Sequence, residues 1–312
     1  MIAFVFPGQG AQYVGMGKEM AQAFPEAKEV FVRADASLGF SLSVLCWDGP
    51  DEVLRQTENT QPAILATSYA CLAVLHMRGL DPAMTAGLSL GEYTALVCAD
   101  ALTFEDALQV VRRRGQLMQE ATAGRRTVMA AVLGLDAQTV KRICQEAAVH
   151  GVVEPSNFNS PGQVVIAGEE AAVHAGITLA KAAGARRAVL LPVSAPFHTS
   201  LMRPAADRLA PLLQQVPLRP ARVPVISNVT AQPVQEPEEI RGLLIAQVAS
   251  PVRWEESVQT MLAAGVKTLV EVGPGTSLSG LIRKTVPQVT VAHVQDRASL
   301  DEAMRILETV AH

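Results

Sequence analysis

Residues 2–6, IAFVF, are apolar without a break and stop at Pro7-Gly8. That is the pattern of a strand buried on both faces and followed by a loop. Helical spacing follows over 16–37 and 61–79. A second strand at 83–87 leads to a serine, and 90–98 reads as helix. Over 104–121, Phe104, Ala107, Leu108, Val111, Gly115 and Met118 share one stripe. Strand, turn and helix alternate through this part, which predicts a mostly parallel sheet with helices on both faces.

Between 125 and 191 the rhythm changes. TVMAAVLGL reads as a strand and DAQTVKRICQEAA as a helix opened by an Asp136 cap. GVVEPSNFN and QVVIAG read as strands, EEAAVHAGITLAKAAG as a helix ending at Gly184, and ARRAVLLPV as a last strand. This β-α-β-β-α-β order is the ferredoxin-like unit. The expected organisation is a large α/β domain of residues 1–124 and 192–312, carrying a small ferredoxin-like subdomain at 125–191. Beyond the insertion, strands at 223–228 and 267–275 and helices at 237–248, 254–264 and from Ser277 resume the first pattern.

The chain has 312 residues, 49% hydrophobic and 18% charged, with a formal net charge of −4. It is long enough for a sizeable core, and it has no basic run suited to nucleic acid. MIAFVFPGQG carries neither a charged leader nor a small-residue cleavage site, and no stretch approaches the roughly 18 uninterrupted apolar residues of a membrane span. A soluble, cytoplasmic protein without membrane association is expected. Cys46, Cys71, Cys98 and Cys144 lie far apart with no C-x-x-C spacing. Single core thiols are expected, rather than disulfides or a metal site.

Candidate chemistry concentrates in AGLSLGEYTAL, residues 86–96. G-x-S-x-G between a strand and a helix is the nucleophile-elbow pattern, with Gly87 and Gly91 allowing backbone to approach on either side of Ser89. The N–H of Leu90 opens the next helix, where donors and the helix dipole both favour negative charge, so it is a candidate oxyanion donor. A tight turn alone is the bland reading of these five residues; the flanking strand and helix favour the nucleophile.

A serine hydroxyl needs a base. Of six histidines, His76, His150, His174, His293 and His312 stand at structural or surface positions. His198 follows the last strand of the insertion in a loop stiffened by Pro196, where the chain returns to the main sheet. A long stretch of chain follows it and no acid stands out as its orienter, which disfavours an ordinary α/β-hydrolase esterase. Arg114 lies at the margin of its helix's apolar stripe, whereas Arg113 projects away. A guanidinium held against a core needs a partner. It can reach water, pair with a structural acid, or bind a substrate carboxylate through both arms of its fork. Gly8-Gln9-Gly10 begins a dinucleotide-type pattern, but Tyr13 occupies the third glycine position, leaving a loop that passes close to the serine.

FPGQGAQYVGMG (6–17), GLSLGEYTAL (87–96), RRGQLMQEA (113–121), NFNSPGQVVIAG (157–168), VSAPFHTSLMRPAAD (193–207), VPVISNVT (223–230), SPVRWEESV (250–258) and EVGPGTSLSGLI (271–282) occur in that order along the chain. As a set they resemble the malonyl-CoA:acyl carrier protein transacylases over essentially the whole length. Pattern and resemblance together imply an α/β-hydrolase-like parallel-sheet core with an inserted ferredoxin-like subdomain.

The resemblance implies that Ser89 is acylated, that His198 is its general base and acid, and that the N–H groups of Gln9 and Leu90 form the oxyanion hole. It implies that a carbonyl in the segment containing Gln247 orients His198, and that Arg114 binds the malonyl carboxylate. Phe197 resembles a residue that narrows the pocket toward unbranched malonyl. The family commonly carries histidine where this chain has Leu88, which reads here as packing.

Implied partners are malonyl-CoA and phosphopantetheinylated acyl carrier protein, with no cofactor and a monomeric enzyme. Arg125, Arg126, Lys181, Arg186, Arg187, Arg283 and Lys284 are candidates for docking the acidic carrier. Three other readings stay open at this stage. An editing acyl hydrolase would be marked by hydrolysis without an acceptor. A non-catalytic carrier-binding module is disfavoured by the presence of Ser89, His198 and Arg114. A free-standing polyketide-synthase acyltransferase would share the chemistry and differ in its carrier.

Overall fold

A computed structural model describes residues 1–193 and 195–311; Ser194 and His312 lie outside the described residues. The strands are β1 (Ile2–Phe6), β2 (Met84–Gly87), β3 (Thr127–Leu133), β4 (Val153–Ser160), β5 (Gln163–Glu169), β6 (Arg187–Leu190), β7 (Val225–Ile226), β8 (Pro233–Val234), β9 (Thr268–Val272) and β10 (Thr290–Val294). They form a six-stranded sheet, β10-β9-β1-β2-β7-β8, and a four-stranded sheet, β4-β5-β3-β6. The large sheet is parallel apart from β8. The small sheet is antiparallel, and its helices Ala137–Ala147 and Glu170–Ala182 complete the ferredoxin-like order.

The uniform apolarity of β1 follows from its central place between β9 and β2. Phe4 and Phe6 join the larger apolar cluster on one face, and Ala3 and Val5 join a second cluster on the other. A strand covered on both sides has no polar face to alternate with. In register, Phe6 pairs with Gly87, so the loops leaving β1 and β2 emerge together at the carboxyl end of the sheet. Open parallel sheets gather their ligand sites there.

Several elements depart from the sequence reading. The 16–37 stretch is two helices, Lys18–Ala23 and Pro25–Leu38, divided at Phe24, which is extended at φ −130°, ψ 118°. The ring of Pro25 disfavours helical backbone in the residue before it. The 61–79 helix instead spans Thr57–Met77 and carries Pro62 in its interior. Its buried first turn is tied to the preceding chain by Asn59 Nδ2 donating to the Val53 carbonyl and Thr60 Oγ1 donating to that of Leu54. Short helices at Leu42–Asp48 and Asp51–Leu54 had no pattern long enough to betray them. The strand expected over 223–228 shrinks to the two residues of β7.

The elbow helix, the helix after it and the Asp136 cap fall where the pattern puts them. The elbow helix spans Leu90–Cys98, and the arginine-bearing helix spans Phe104–Glu120. Asp136 caps its helix by accepting from the Thr139 N–H at 2.9 Å. All four cysteines are buried and free. Among the described residues, no helix is long and apolar enough to cross a membrane.

Two glycines set the closest approach to backbone in the main domain. A Cβ on Gly87 would lie 1.9 Å from the Gly91 carbonyl carbon, and one on Gly91 would lie 2.1 Å from the Phe6 carbonyl oxygen. Both obstacles are backbone and cannot swing aside. Gly91→Ala is expected to lower stability by more than about 2 kcal/mol, the cost of forcing atoms into a filled site. Urea denaturation checks this, with Gly242→Ala (also inside a helix, with nothing within 4 Å of its Cβ) as the comparison without a clash.

Candidate active site

Ser89 caps the helix that follows β2, with φ 54° and ψ −103°. Few non-glycine residues hold a positive φ, and such strain collects at functional turns. The turn is held from behind by Asn228, just beyond β7. Asn228 Oδ1 accepts from the Ser89 N–H at 2.6 Å, and its Nδ2 donates to the Gly87 carbonyl at 2.7 Å.

His198, also at positive φ (62°), brings Nε2 to 2.7 Å from Ser89 Oγ. Its Nδ1 lies 2.9 Å from the backbone carbonyl oxygen of Gln247. A carbonyl only accepts, so Nδ1 carries the proton and Nε2 is free to accept from the serine. Burial, and then the nearby Arg114 charge, push the imidazole down to about 4, against the opposing bond to Gln247. The ring is therefore neutral at neutral pH, in the state needed to take a proton.

Arg114 is only 2% exposed. Its Nη1 donates to Gln61 Oε1 at 2.8 Å; its Nη2 donates to Gln247 Oε1 at 2.9 Å and to Ser89 Oγ at 3.0 Å. Its guanidinium carbon stands 5.6 Å from the Tyr93 ring centroid. The helix bearing Arg114 comes this close because Gly115 abuts the first turn of Thr57–Met77. A Cβ there would be 2.7 Å from Glu58 Cα. The serine thus donates to an imidazole and accepts from a guanidinium at once.

Glu92, three residues after Ser89, is buried, with Oε2 accepting from Gln247 Nε2 at 2.7 Å and from the Asn228 N–H at 3.1 Å. Burial pushes its carboxyl up to about 7, against these bonds and the Arg114 charge. The sequence reading did not single out Gln61, Glu92 or Asn228. Their signals were faint: a polar residue inside an apolar helix, an acid one turn past the serine, and an asparagine ending VPVISN.

Ser89 opens into a cavity of about 670 Å³ between the two sheets, lined also by Gln9, Leu90, Arg114, Phe197 and His198. The Gln9 side chain donates to Thr57 Oγ1 at 3.2 Å. A Cβ on the adjacent Gly8 would lie 2.4 Å from the Leu88 carbonyl oxygen, so this loop does press on the elbow. Leu88 packs against the apolar cluster containing Val5 and Trp254, and also lines the cavity. Its role is therefore wider than packing alone.

Of the seven basic candidates, only Lys284 lines the cavity among the described residues, where it donates to Gln163 Oε1 at 3.2 Å. Arg125, Arg126, Lys181, Arg186 and Arg187 are exposed away from its lining. Arg283 turns back to the Val291 carbonyl. Arg55, which the sequence reading did not weigh, lines the cavity and pairs with Asp51. Of the histidines set aside earlier, His76, His150, His174 and His293 stay outside the lining, and His312 falls outside the described residues; His150 and His174 are exposed, and His76 faces Asp81 at 3.6 Å. No group of three or more His, Cys, Asp or Glu side chains able to hold a metal is found among the described residues.

The family of acyl transferase domains matches residues 3–305. The chain belongs to that family. It is 46% identical to the malonyl CoA-acyl carrier protein transacylase of Bacillus subtilis strain 168, over 98% of this chain and 97% of that protein. It is also 46% identical to the protein of the same name from Escherichia coli strain K12, over 97% and 99%. Among solved structures, it superimposes at a TM-score of 0.94 on an acyl carrier protein S-malonyltransferase from Vibrio cholerae, 47% identical over 97% of this chain and 99% of that one. A malonyl-transacylase solved with its type II polyketide-synthase acyl-carrier protein gives a TM-score of 0.95 at 45% identity, over 97% and 99%. Acyl transferase domains of this family thus match both the fold and the length of the chain.

A histidine whose folded-state value lies below the free 6.5 stays basic into acid. Labelling of Ser89 by a serine-directed sulfonyl fluoride is expected to hold steady as the pH falls from neutrality and to drop only near about 4. The same shift opposes folding in acid, because the unfolded chain takes up this proton first. A labelling midpoint near 6.5 would contradict the burial argument.

Proposed function

We propose that this enzyme moves a malonyl group from malonyl-CoA to the phosphopantetheine thiol of acyl carrier protein through a malonyl ester on Ser89. The observation that carries the reading is the 3.0 Å approach of Arg114 Nη2 to Ser89 Oγ. It puts a cation beside the nucleophile, where a short diacid half-thioester has its second carboxylate within reach. Charge-assisted, two-armed pairing with that carboxylate selects malonyl over uncharged acyl groups.

In this reading Ser89 passes its proton to His198 Nε2 and attacks the thioester carbonyl. The oxyanion faces the N–H groups of Leu90 and Gln9; a donor of this kind is typically worth about 10²–10³ in rate. The collapsing intermediate expels CoA as its thiol, which leaves with the proton from His198. The carrier's thiol then gives its proton to His198 and its sulfur attacks the ester; as the tetrahedral intermediate collapses, the Ser89 oxygen leaves and takes that proton back from His198, restoring the starting site. Gln247 holds the imidazole through its carbonyl, and Phe197 bounds the acyl end of the cavity. No step calls for a cofactor.

The reading places a monomeric enzyme in the cytoplasm, supplying malonyl units for fatty acid synthesis. Support for malonyl transfer comes from the site geometry together with the names of the full-length relatives. Similarity to the malonyl-transacylase solved with a polyketide-synthase carrier favours one variation, the same chemistry with a polyketide carrier as acceptor.

Brief exposure to malonyl-CoA or acetyl-CoA, followed by mass spectrometry, tests the proposal. A malonyl adduct on Ser89 is expected, absent from Ser89→Ala. Arg114→Ala is expected to lose at least about tenfold of the preference for malonyl over acetyl, the lower end of a charged hydrogen bond's worth. Equal loading of both acyl groups by the wild type would overturn the carboxylate argument.

A further inference from the structure

Three chain segments that are remote in sequence meet at one carboxylate oxygen. Glu92 Oε2 accepts from the Asn228 N–H at 3.1 Å, across 136 residues, and from Gln247 Nε2 at 2.7 Å, across 155. Each partner in turn holds a different part of the site. Asn228 grips both sides of the elbow, through the Ser89 N–H and the Gly87 carbonyl. Gln247 holds His198 through its backbone carbonyl, Arg114 through its side-chain oxygen, and the Ser89 carbonyl through the same Nε2 that reaches Glu92.

Glu92 itself touches neither the hydroxyl nor the imidazole in any bond described above. It is 2% exposed and sits in the first turn of the helix Leu90–Cys98, where a carboxylate is electrostatically favoured. A buried acid whose bonds run only to the supports of the nucleophile, the base and the guanidinium suits a role in alignment. Without it, the Gln247 Nε2 loses one of its two acceptors, and only the Ser89 carbonyl still opposes rotation of the amide oxygen away from Arg114. The Asn228 N–H is then left buried without an acceptor, which is costly.

We propose that Glu92 is a positioning residue for acyl transfer, fixing Gln247 and Asn228 so that Ser89, His198 and Arg114 are aligned together. The proposal rests on the acyl-transfer reading above for its substrate, but not for its geometry. Misplacement of a reacting group by about 1 Å can cost about 10²-fold.

The test compares Glu92→Ala, Glu92→Asp and Glu92→Gln with the wild type, scaled to folded protein by circular dichroism. Two rates are read: malonyl transfer from malonyl-CoA, and labelling of Ser89 by a sulfonyl fluoride, which needs no acyl substrate. Glu92→Asp withdraws the oxygen but keeps the charge. It and Glu92→Ala are expected to lower kcat by about 10- to 100-fold with little change in KM. Both are expected to slow labelling and to narrow the malonyl-over-acetyl preference. Glu92→Gln, whose amide oxygen can still accept from both partners, is expected to recover part of the loss. Should Glu92→Ala fail to fold, Glu92→Asp and Glu92→Gln carry the comparison. Wild-type kcat and labelling in folded Glu92→Asp would overturn the proposal, as would a Glu92→Gln loss matching that of Glu92→Asp. If the wild type labels at Ser89 but takes no malonyl, the functional reading fails while the labelling rates still decide the role of Glu92.

Discussion

At the centre of this molecule a guanidinium is buried with no carboxylate at ion-pair distance among the described residues. Removing a charge from water costs several kcal/mol unless hydrogen bonds replace the lost solvent. Arg114 recovers part of that from two glutamine oxygens and a serine hydroxyl, while its Nε finds no partner. Neutral acceptors compensate a cation only incompletely. The arrangement therefore keeps an unspent attraction for an anion, aimed into the cavity beside the most strained residue of the elbow. The same field holds down the basicity of His198. The serine hydroxyl, the imidazole and the guanidinium thus form one electrostatic unit.

The fold makes that unit possible by crowding backbone. Gly87 and Gly91 let the elbow helix lean onto the end of β1, and Gly115 lets a second helix lean onto the first turn of Thr57–Met77. The cavity is closed from the other side by the small sheet. That sheet is tied to the main domain where Val252 accepts from the Phe158 N–H at 2.8 Å and donates to the Ser156 carbonyl at 2.9 Å. Three glycines and one strand-like bridge therefore set the distances at which side chains from both layers meet.

Much of this was legible in the chain, and the exceptions share a physical cause. β1, the elbow and the long amphipathic helix announce themselves through local pattern, because burial on a fixed face imposes a period. Ser89 and Arg114 stood out by position within those elements, and His198 by its loop. The start at Thr57 was hidden because Pro62 looks like a first-turn residue, whereas the real first turn is buried by tertiary contact. Gln61, Glu92 and Asn228 were missed for a related reason. Each is an ordinary polar residue locally, and its importance arises only from partners brought in from distant segments.

The hydrogen bond from His198 Nδ1 ends on a peptide oxygen of Gln247 rather than on an acid. A carboxylate there would hold a proton on the imidazole in a deep electrostatic well. A peptide oxygen offers only a dipole, so the imidazolium stays shallow and readily surrenders its charge. In the acyl-transfer reading this suits exchange between two thioesters of matched energy, where neither direction should be trapped.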